Sequence, residues 1–332
     1  MSSRYDVITL GETMLRFTPP NLKRIEQTTT FDIEVGGSES NMAIGLARLG
    51  LKVLWLSRLT NNPLGRLIER TIAGHGVDTS RIIWTESDRI GLYFLEEGKA
   101  PRGSQVIYDR KQSAISQMKA SELPIDLFRP DYARLLHLSG ITPALSPNLA
   151  ITAQRALKLA KEAGWKVSFD LNYRGQLWTP AAALEGCTPF IQATDILLAP
   201  LDDVRLIYDL DPESTTEQVL DFLQQHAPQA IIVLTLGKNG AIGVEPQGQI
   251  LRQPAFPAEE VGRLGGGDAF AAGFLYSYLT TTEHEQRLAR ALRWGAATAA
   301  FKYSIAGDIP MIYRAEIERL IQQDVTRPNL VR

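Results

Sequence analysis

The chain is nearly without cysteine: Cys187 stands alone among 332 residues, so no intrachain disulfide can form. Histidine is scarce too. His75, His137, His226 and His284 lie too far apart for the spacings of a transition-metal site, which leaves each at the surface or satisfied in the core. No basic run occurs and the net charge is −2, a balance that argues against nucleic acid as principal partner. No apolar run approaches the roughly 18 residues that crossing a bilayer requires. The stretch Met1 to Leu10 lacks a basic region followed by a long apolar one. These absences lead us to expect a cytoplasmic protein with no nucleic-acid and no membrane partner. Two nucleotide fingerprints are missing as well: there is no GxxxxGK[ST] loop, and no GxGxxG follows the first predicted strand.

What is present is a globular composition, 44% hydrophobic and 22% charged. Strand-length apolar runs (Asp6 to Leu10, Val53 to Leu56, Leu135 to Leu138, Lys166 to Asp170, Asp195 to Leu198, Ala230 to Leu236) alternate with helical patterns such as Asn41 to Leu49, Leu64 to Ala73 and Pro147 to Ala163. Nearly continuous apolar strands separated by helices predict an α/β protein whose mostly parallel sheet is covered on both faces. Ligands of such sheets sit at the carboxyl ends of the strands. Residues 14–35 and 89–110 break the rhythm, with strand-like stretches Ile90 to Leu95 and Gln105 to Tyr108 and no helix between them. We read these two segments as antiparallel strands of a small lid inserted into a core of residues 1–13, 36–88 and 111–325. No Pro/Ser-rich linker or internal repeat divides the chain.

The run Gly265-Gly266-Gly267-Asp268 heads an apolar stretch, Ala271 to Leu279. Glycines expose backbone N–H groups, and a helix starting there adds its positive dipole end, which together make a cradle for a phosphoryl group. Asp268, expected to stay ionised in that field, is placed to take a proton from a hydroxyl aimed at the phosphate.

Polar groups also follow other predicted strands or open helices: Gly11-Glu12, Gly36-Gly37-Ser38-Glu39-Ser40-Asn41 and Asp170-Leu171-Asn172-Tyr173-Arg174. With the triglycine run, they make the chain resemble the ribokinase-like (PfkB) carbohydrate kinases over nearly its whole length. Gly36 to Gly50 is similar to that family's first signature and Gly265 to Gly273 to its second. Within the family, Gly91 to Glu96, Val106 to Arg110, His137 to Ser146, Asp170 to Arg174 and Ala306 to Asp308 are similar to 2-keto-3-deoxygluconate kinases.

The resemblance implies a three-layer fold with a β-sheet lid and ATP-dependent, Mg²⁺-assisted phosphorylation of the terminal hydroxyl of that sugar acid. By the same resemblance Asp268 is the base and the amides of Gly265, Gly266 and Gly267 are the anion hole. Gly37, Ser38 and Asn41 bind sugar hydroxyls, while Tyr93, Tyr108, Arg110 and Arg174 hold the carboxylate end, the arginines through planar forks. Asn172, Thr235, Gly237 and Gly240 approach the nucleotide, although Lys238-Asn239-Gly240 also reads as a plain turn between strands. Two positions depart from the family. Gly262 stands where an Asp usually belongs to a monovalent-cation site, which leaves potassium activation open. Pro200 stands where an Asn is usual, so Asp203 would organise the magnesium waters only indirectly. A neutral sugar such as fructose, a non-catalytic sensor on the same scaffold and a nicotinamide dehydrogenase are the competing readings. Exposed lid strands suggest a homodimer or larger assembly.

Overall fold

Along strand Ile196–Pro200, Leu197 and Ala199 face one hydrophobic cluster while Ile196 and Leu198 face another. In Tyr5–Leu10, Ile8 and Leu10 join the first cluster and Val7 the second. Both faces are covered, and for that reason the strands read as unbroken apolar runs. The computed structural model, which describes residues 4–246 and 248–322, arranges eight such strands into one sheet. Their order is Leu251–Gln253, Ala241–Val244, Ile231–Thr235, Ile196–Pro200, Lys166–Asp170, Ala133–Ser139, Tyr5–Leu10 and Val53–Leu56. The last six are mutually parallel, and the first two join as antiparallel strands. Helices Pro147–Glu162, Pro180–Ala193 and Thr216–His226 pack on one face. Helices Ser38–Leu49, Pro63–Gly74, Gly266–Thr280 and Arg287–Tyr303 pack on the other. The expected core limits at residues 1–3 and 323–325 lie outside the described residues.

Core polar groups are quiet. The His137 ring bonds Ser168 Oγ at 2.6 Å and burial pulls its pKa down to about 3, while burial pushes the Cys187 thiol up to about 12. Among the described residues no helix is long and apolar enough to cross a membrane.

A second sheet holds Asp32–Gly36, Met14–Thr18, Leu92–Glu96 and Gln105–Asp109, in that order. Its outer pairs are antiparallel, but Met14–Thr18 and Leu92–Glu96 run parallel, against the expectation of antiparallel strands throughout. The chain between that pair passes through core helices and strands before it returns, and a long crossover of this kind delivers a parallel neighbour. Register sorts the sheet's side chains into rows. Glu34, Arg16, Tyr93 and Tyr108 are partners across the four strands, and so are Ile33, Phe17, Phe94 and Ile107. Successive residues of a strand point to opposite faces, so one face carries charge and phenols and the other is apolar. On the apolar face the Phe17 and Phe94 rings stack at 5.4 Å, and Ile33 and Ile107 remain 53% and 47% exposed.

Helix Ser38–Leu49 lies directly on helix Gly266–Thr280. A Cβ added at Gly45 would stand 2.7 Å from that of Ala272, so only glycine permits this approach. Gly45→Val is expected to cost about 1–3 kcal/mol through overpacking. Urea unfolding followed by circular dichroism measures the loss.

Candidate active site

The triglycine run ends in a turn whose three glycines serve three different ends. Gly265, with φ 76°, is left-handed, and the Asp308 carbonyl occupies the place of its missing side chain, so any other residue would be both strained and blocked. Gly266 is buried under the Tyr303 ring. Gly267 has nothing within 4 Å of where its Cβ would be, so the third residue of the turn faces open space. Helix Gly266–Thr280 starts here with Asp268 in its first turn.

Asp268 points across at the start of helix Ser38–Leu49. Its Oδ1 accepts from Ser38 Oγ at 2.7 Å and its Oδ2 from Asn41 Nδ2 at 2.8 Å. Asn172, held at a positive φ of 38°, donates from Nδ2 to the same Ser38 Oγ at 2.7 Å. Burial pushes the Asp268 carboxyl above its usual range, against the opposing pull of the Asn41 and Ser38 hydrogen bonds and of the Arg174 charge. The field of the glycine amides and the helix dipole favours an ionised group, and burial opposes it, raising the pKa. Asp170, at the end of its strand, is pushed up to about 8 by burial and then by the Asp268 charge. Burial also raises Asp203, whose Oδ2 accepts the Tyr173 N–H at 3.0 Å. Fully buried Glu39 accepts from Ser139 and Thr142 hydroxyls at 2.6 and 2.7 Å and is likewise raised by burial.

Two adjoining cavities meet at the turn. One of about 710 Å³ is lined by Thr235, Gly237, Gly240, Phe256, Gly267 and Tyr303 among others. One of about 210 Å³ includes Asp170, Asn172, Arg174, Arg263, the three glycines and Asp268. On the far side of Ser38, the charged face of the small sheet forms a chain of contacts. Tyr93 Oη donates to Asp308, which also pairs with Arg16, and Arg16 pairs with Glu34. The Tyr93 and Tyr108 ring centroids are 5.8 Å apart, and the Arg110 guanidinium lies 5.4 Å from the Tyr108 ring. Arg110 Nε donates to Glu12 Oε2 at 2.7 Å and its Nη2 bonds the same oxygen. That pairing consumes one edge of the guanidinium. Its Nη1 has no partner among the described residues, which leaves the Nη1–Nη2 edge for an anion.

A model of the pfkB family carbohydrate kinases matches residues 5–312. The chain belongs to that family. A 2-dehydro-3-deoxygalactonokinase of Haloferax volcanii is 37% identical over 317 residues, covering 96% of each chain. The crystal structure of a 2-dehydro-3-deoxygluconokinase from Thermotoga maritima superposes with a TM-score of 0.87 at 34% identity, over 96% of this chain and 100% of that one. A putative ribokinase II from E. coli in complex with ATP and Mg²⁺ has a TM-score of 0.84 at 21% identity, over 96% and 99% of the two chains, a likeness of fold alone. The protein is thus a sugar kinase with a ribokinase-like fold, and its substrates are ATP and a sugar.

Within the kinase, the residues expected at the site fall into four groups. Ser38 and Asn41 bond Asp268, with Gly37 just before them at the helix N-cap, and Asn172, expected at the nucleotide, bonds Ser38 through its amide. Tyr93, Tyr108 and Arg110 stand together on the small sheet. Arg174, expected beside Arg110, instead lines the smaller cavity with the triglycine turn and donates to its own neighbour's carbonyl, Tyr173 O, at 2.9 Å. Thr235, Gly237 and Gly240 line the larger cavity, and they do so as part of a hairpin turn closed by Leu236 N–H to Gly240 O at 2.8 Å. The plain-turn reading holds, and the same turn lines the larger cavity. Sequence reasoning assigned no role to Glu12 or Arg16. Glu12 stands just past the carboxyl end of the first strand, and that rule alone pointed to it.

Asp170 carries a prediction for the ligand-free kinase. Its folded-state pKa is raised, so the stability it contributes is present below the unfolded value and is lost as pH rises toward about 8. The melting temperature of Asp170→Asn, relative to wild type, is therefore expected to climb between pH 5 and about 8 and then level off. Differential scanning calorimetry across that range checks it, and a flat difference would count against the buried proton.

Proposed function

We propose that the kinase transfers the γ-phosphoryl group of ATP to the terminal hydroxyl of 2-keto-3-deoxygluconate, giving the 6-phosphate and ADP. The observation that carries this reading is the placement of Asp268. The carboxylate lies between a turn that opens onto free space at Gly267 and a polar cluster whose Arg110 keeps one donor edge unused. A carboxylate-bearing sugar suits that edge, and the Tyr93 and Tyr108 rings beside it suit a carbon chain. The likeness to the Haloferax enzyme makes the galacto epimer the second reading.

In this scheme Asp268 takes the proton of the primary alcohol as it attacks, and partial desolvation makes its carboxylate a stronger base than one in water. The Gly265 to Gly267 amides and the helix dipole take up the negative charge of the moving phosphoryl group. Arg174 and Arg263 add positive charge at the cleft wall, and Thr235, Gly237 and Gly240 face the nucleotide. Among the described residues no three His, Cys, Asp or Glu side chains converge on a metal site. Asp170 and Asp203, both raised by burial, are the carboxylates that would hold Mg²⁺ through its waters. When bound, the metal neutralises phosphate charge. Residues 14–35 and 89–110 act as a lid that closes over the sugar and excludes water.

Sugar-dependent ADP release should favour 2-keto-3-deoxygluconate or its galacto epimer over fructose, and a preference for fructose would sink the acid reading. Wild-type kcat/KM should rise with pH through a limb above the usual carboxylate range, because the Asp268 pKa is raised. Asp268→Asn should lose about 10² to 10⁴ in kcat together with that limb while still binding sugar. Near-normal turnover would remove Asp268 from the base role.

The lid's apolar face, with Ile33 and Ile107 exposed beside unpaired edge strands, is proposed to be covered by a second copy of the chain. Light scattering is expected to report a dimer or larger, and Ile33→Lys with Ile107→Lys should yield monomer. A wild-type monomer at assay concentration would reject this.

A further inference from the structure

Lys302, next to last in helix Arg287–Tyr303, is wholly buried, the only lysine or arginine at 0% exposure among the described residues. Charged ammonium groups lose several kcal/mol of hydration on burial, and a carboxylate partner usually offsets part of that. Lys302 has no such partner: among the described residues its Nζ makes one hydrogen bond, to the Ile305 carbonyl at 3.0 Å, and no salt bridge. The nearby carboxylates are engaged elsewhere. Asp308 pairs with Arg16 and Tyr93, and Asp268 with Ser38 and Asn41. Burial draws the Lys302 pKa down, while the charges of Asp308 and Asp268 hold it up.

Its location gives the charge a use. The Lys302 Cε lies 3.3 Å from where a Gly265 Cβ would be, directly beneath the left-handed residue that opens the phosphate turn, and the Asp308 carbonyl fills the rest of that space. A positive charge there sits beneath the amides of the Gly265–Gly267 turn, of which the Gly266 N–H donates to the Arg263 carbonyl at 3.3 Å. The field of such a charge adds to theirs in a medium of low polarity, where it is weakly screened.

We propose that Lys302 is a positioning residue for phosphoryl transfer: a fixed cation built into the floor of the Gly265–Gly267 turn, which holds that turn in shape and stabilises the negative charge crossing it. The inference rests on the reading of that turn given above and deepens it. Phosphoryl transfer needs most stabilisation when charge has spread over the moving group, so the effect of Lys302 falls on kcat more than on sugar KM.

The test compares wild type, Lys302→Met and Lys302→Gln in steady-state assays at constant ionic strength, with tetramethylammonium chloride replaced in turn by potassium and ammonium chloride. Gln keeps a donor for the Ile305 carbonyl and removes only the charge. Both variants are expected to lose about 10- to 100-fold in kcat with sugar KM little changed. Ammonium, small enough to enter the vacated space of Lys302→Met, is expected to return much of the lost rate, while tetramethylammonium does not. Wild type should turn over equally in all three salts. Full kcat in Lys302→Gln overturns the proposal, as does a rate loss that parallels a rise in sugar KM and that no cation reverses. If circular dichroism shows that neither variant folds, the wild-type arm decides: a rate that depends strongly on potassium overturns the proposal, and equal rates uphold it. Wild type without sugar-dependent ADP release would overturn the functional reading and this inference with it, whereas losses confined to the variants bear on Lys302 alone.

Discussion

The structure depends on two helices that begin at one point. Helices Ser38–Leu49 and Gly266–Thr280 come from opposite ends of the chain, and they pack so closely that Gly45 must lack a side chain where it meets Ala272. The close approach puts Ser38 and Asn41 within hydrogen-bond reach of Asp268. Two positive dipole ends then converge on one carboxylate and on the open turn beside it. With a larger side chain at Gly45 the helices would stand further apart, and the same residues would be present without meeting.

Electrostatics around the cleft is set by buried acids with cations among them. Asp170, Asp203, Asp268 and Glu39 are all raised, in each case first by burial. An arrangement of that kind is poorly satisfied alone and gains most from a ligand that brings positive charge or protons to lose. Lys302 lies below the turn, and Arg174 and Arg263 line the same cavity as Asp170 and Asp268. The small sheet adds a third part. Its charged row binds it to the core through Asp308, which joins Arg16 and Tyr93 to the segment lying against Gly265. The small sheet and the triglycine turn therefore share one short stretch of chain.

Much of this was legible beforehand because periodicity and glycine carry physical information. Doubly covered strands must be apolar throughout, so the alternating α/β pattern declared its sheet. Glycines at 265 to 267 followed by an acid declared a tight turn at a helix start, and the phenols and arginines of 89–110 declared a separate polar strand pair. Illegible features were those created by partners distant in sequence. Arg110 reads as a free fork until Glu12, 98 residues away, takes one of its edges. Lys302 carries no local mark, since nothing near it in sequence says that its helix ends under the Gly265–Gly267 turn.

By itself the sequence determined which segments form strands and helices, where the backbone must bend and which residue types stand at strand ends, because these follow from local sterics and hydrophobic period. Tertiary structure alone decided the protonation tendency of the acids, the pairing of Arg110, the parallel join within the small sheet and the burial of Lys302. Each of those depends on desolvation or on Coulomb contact between groups brought together only by folding, and neither quantity exists along an extended chain.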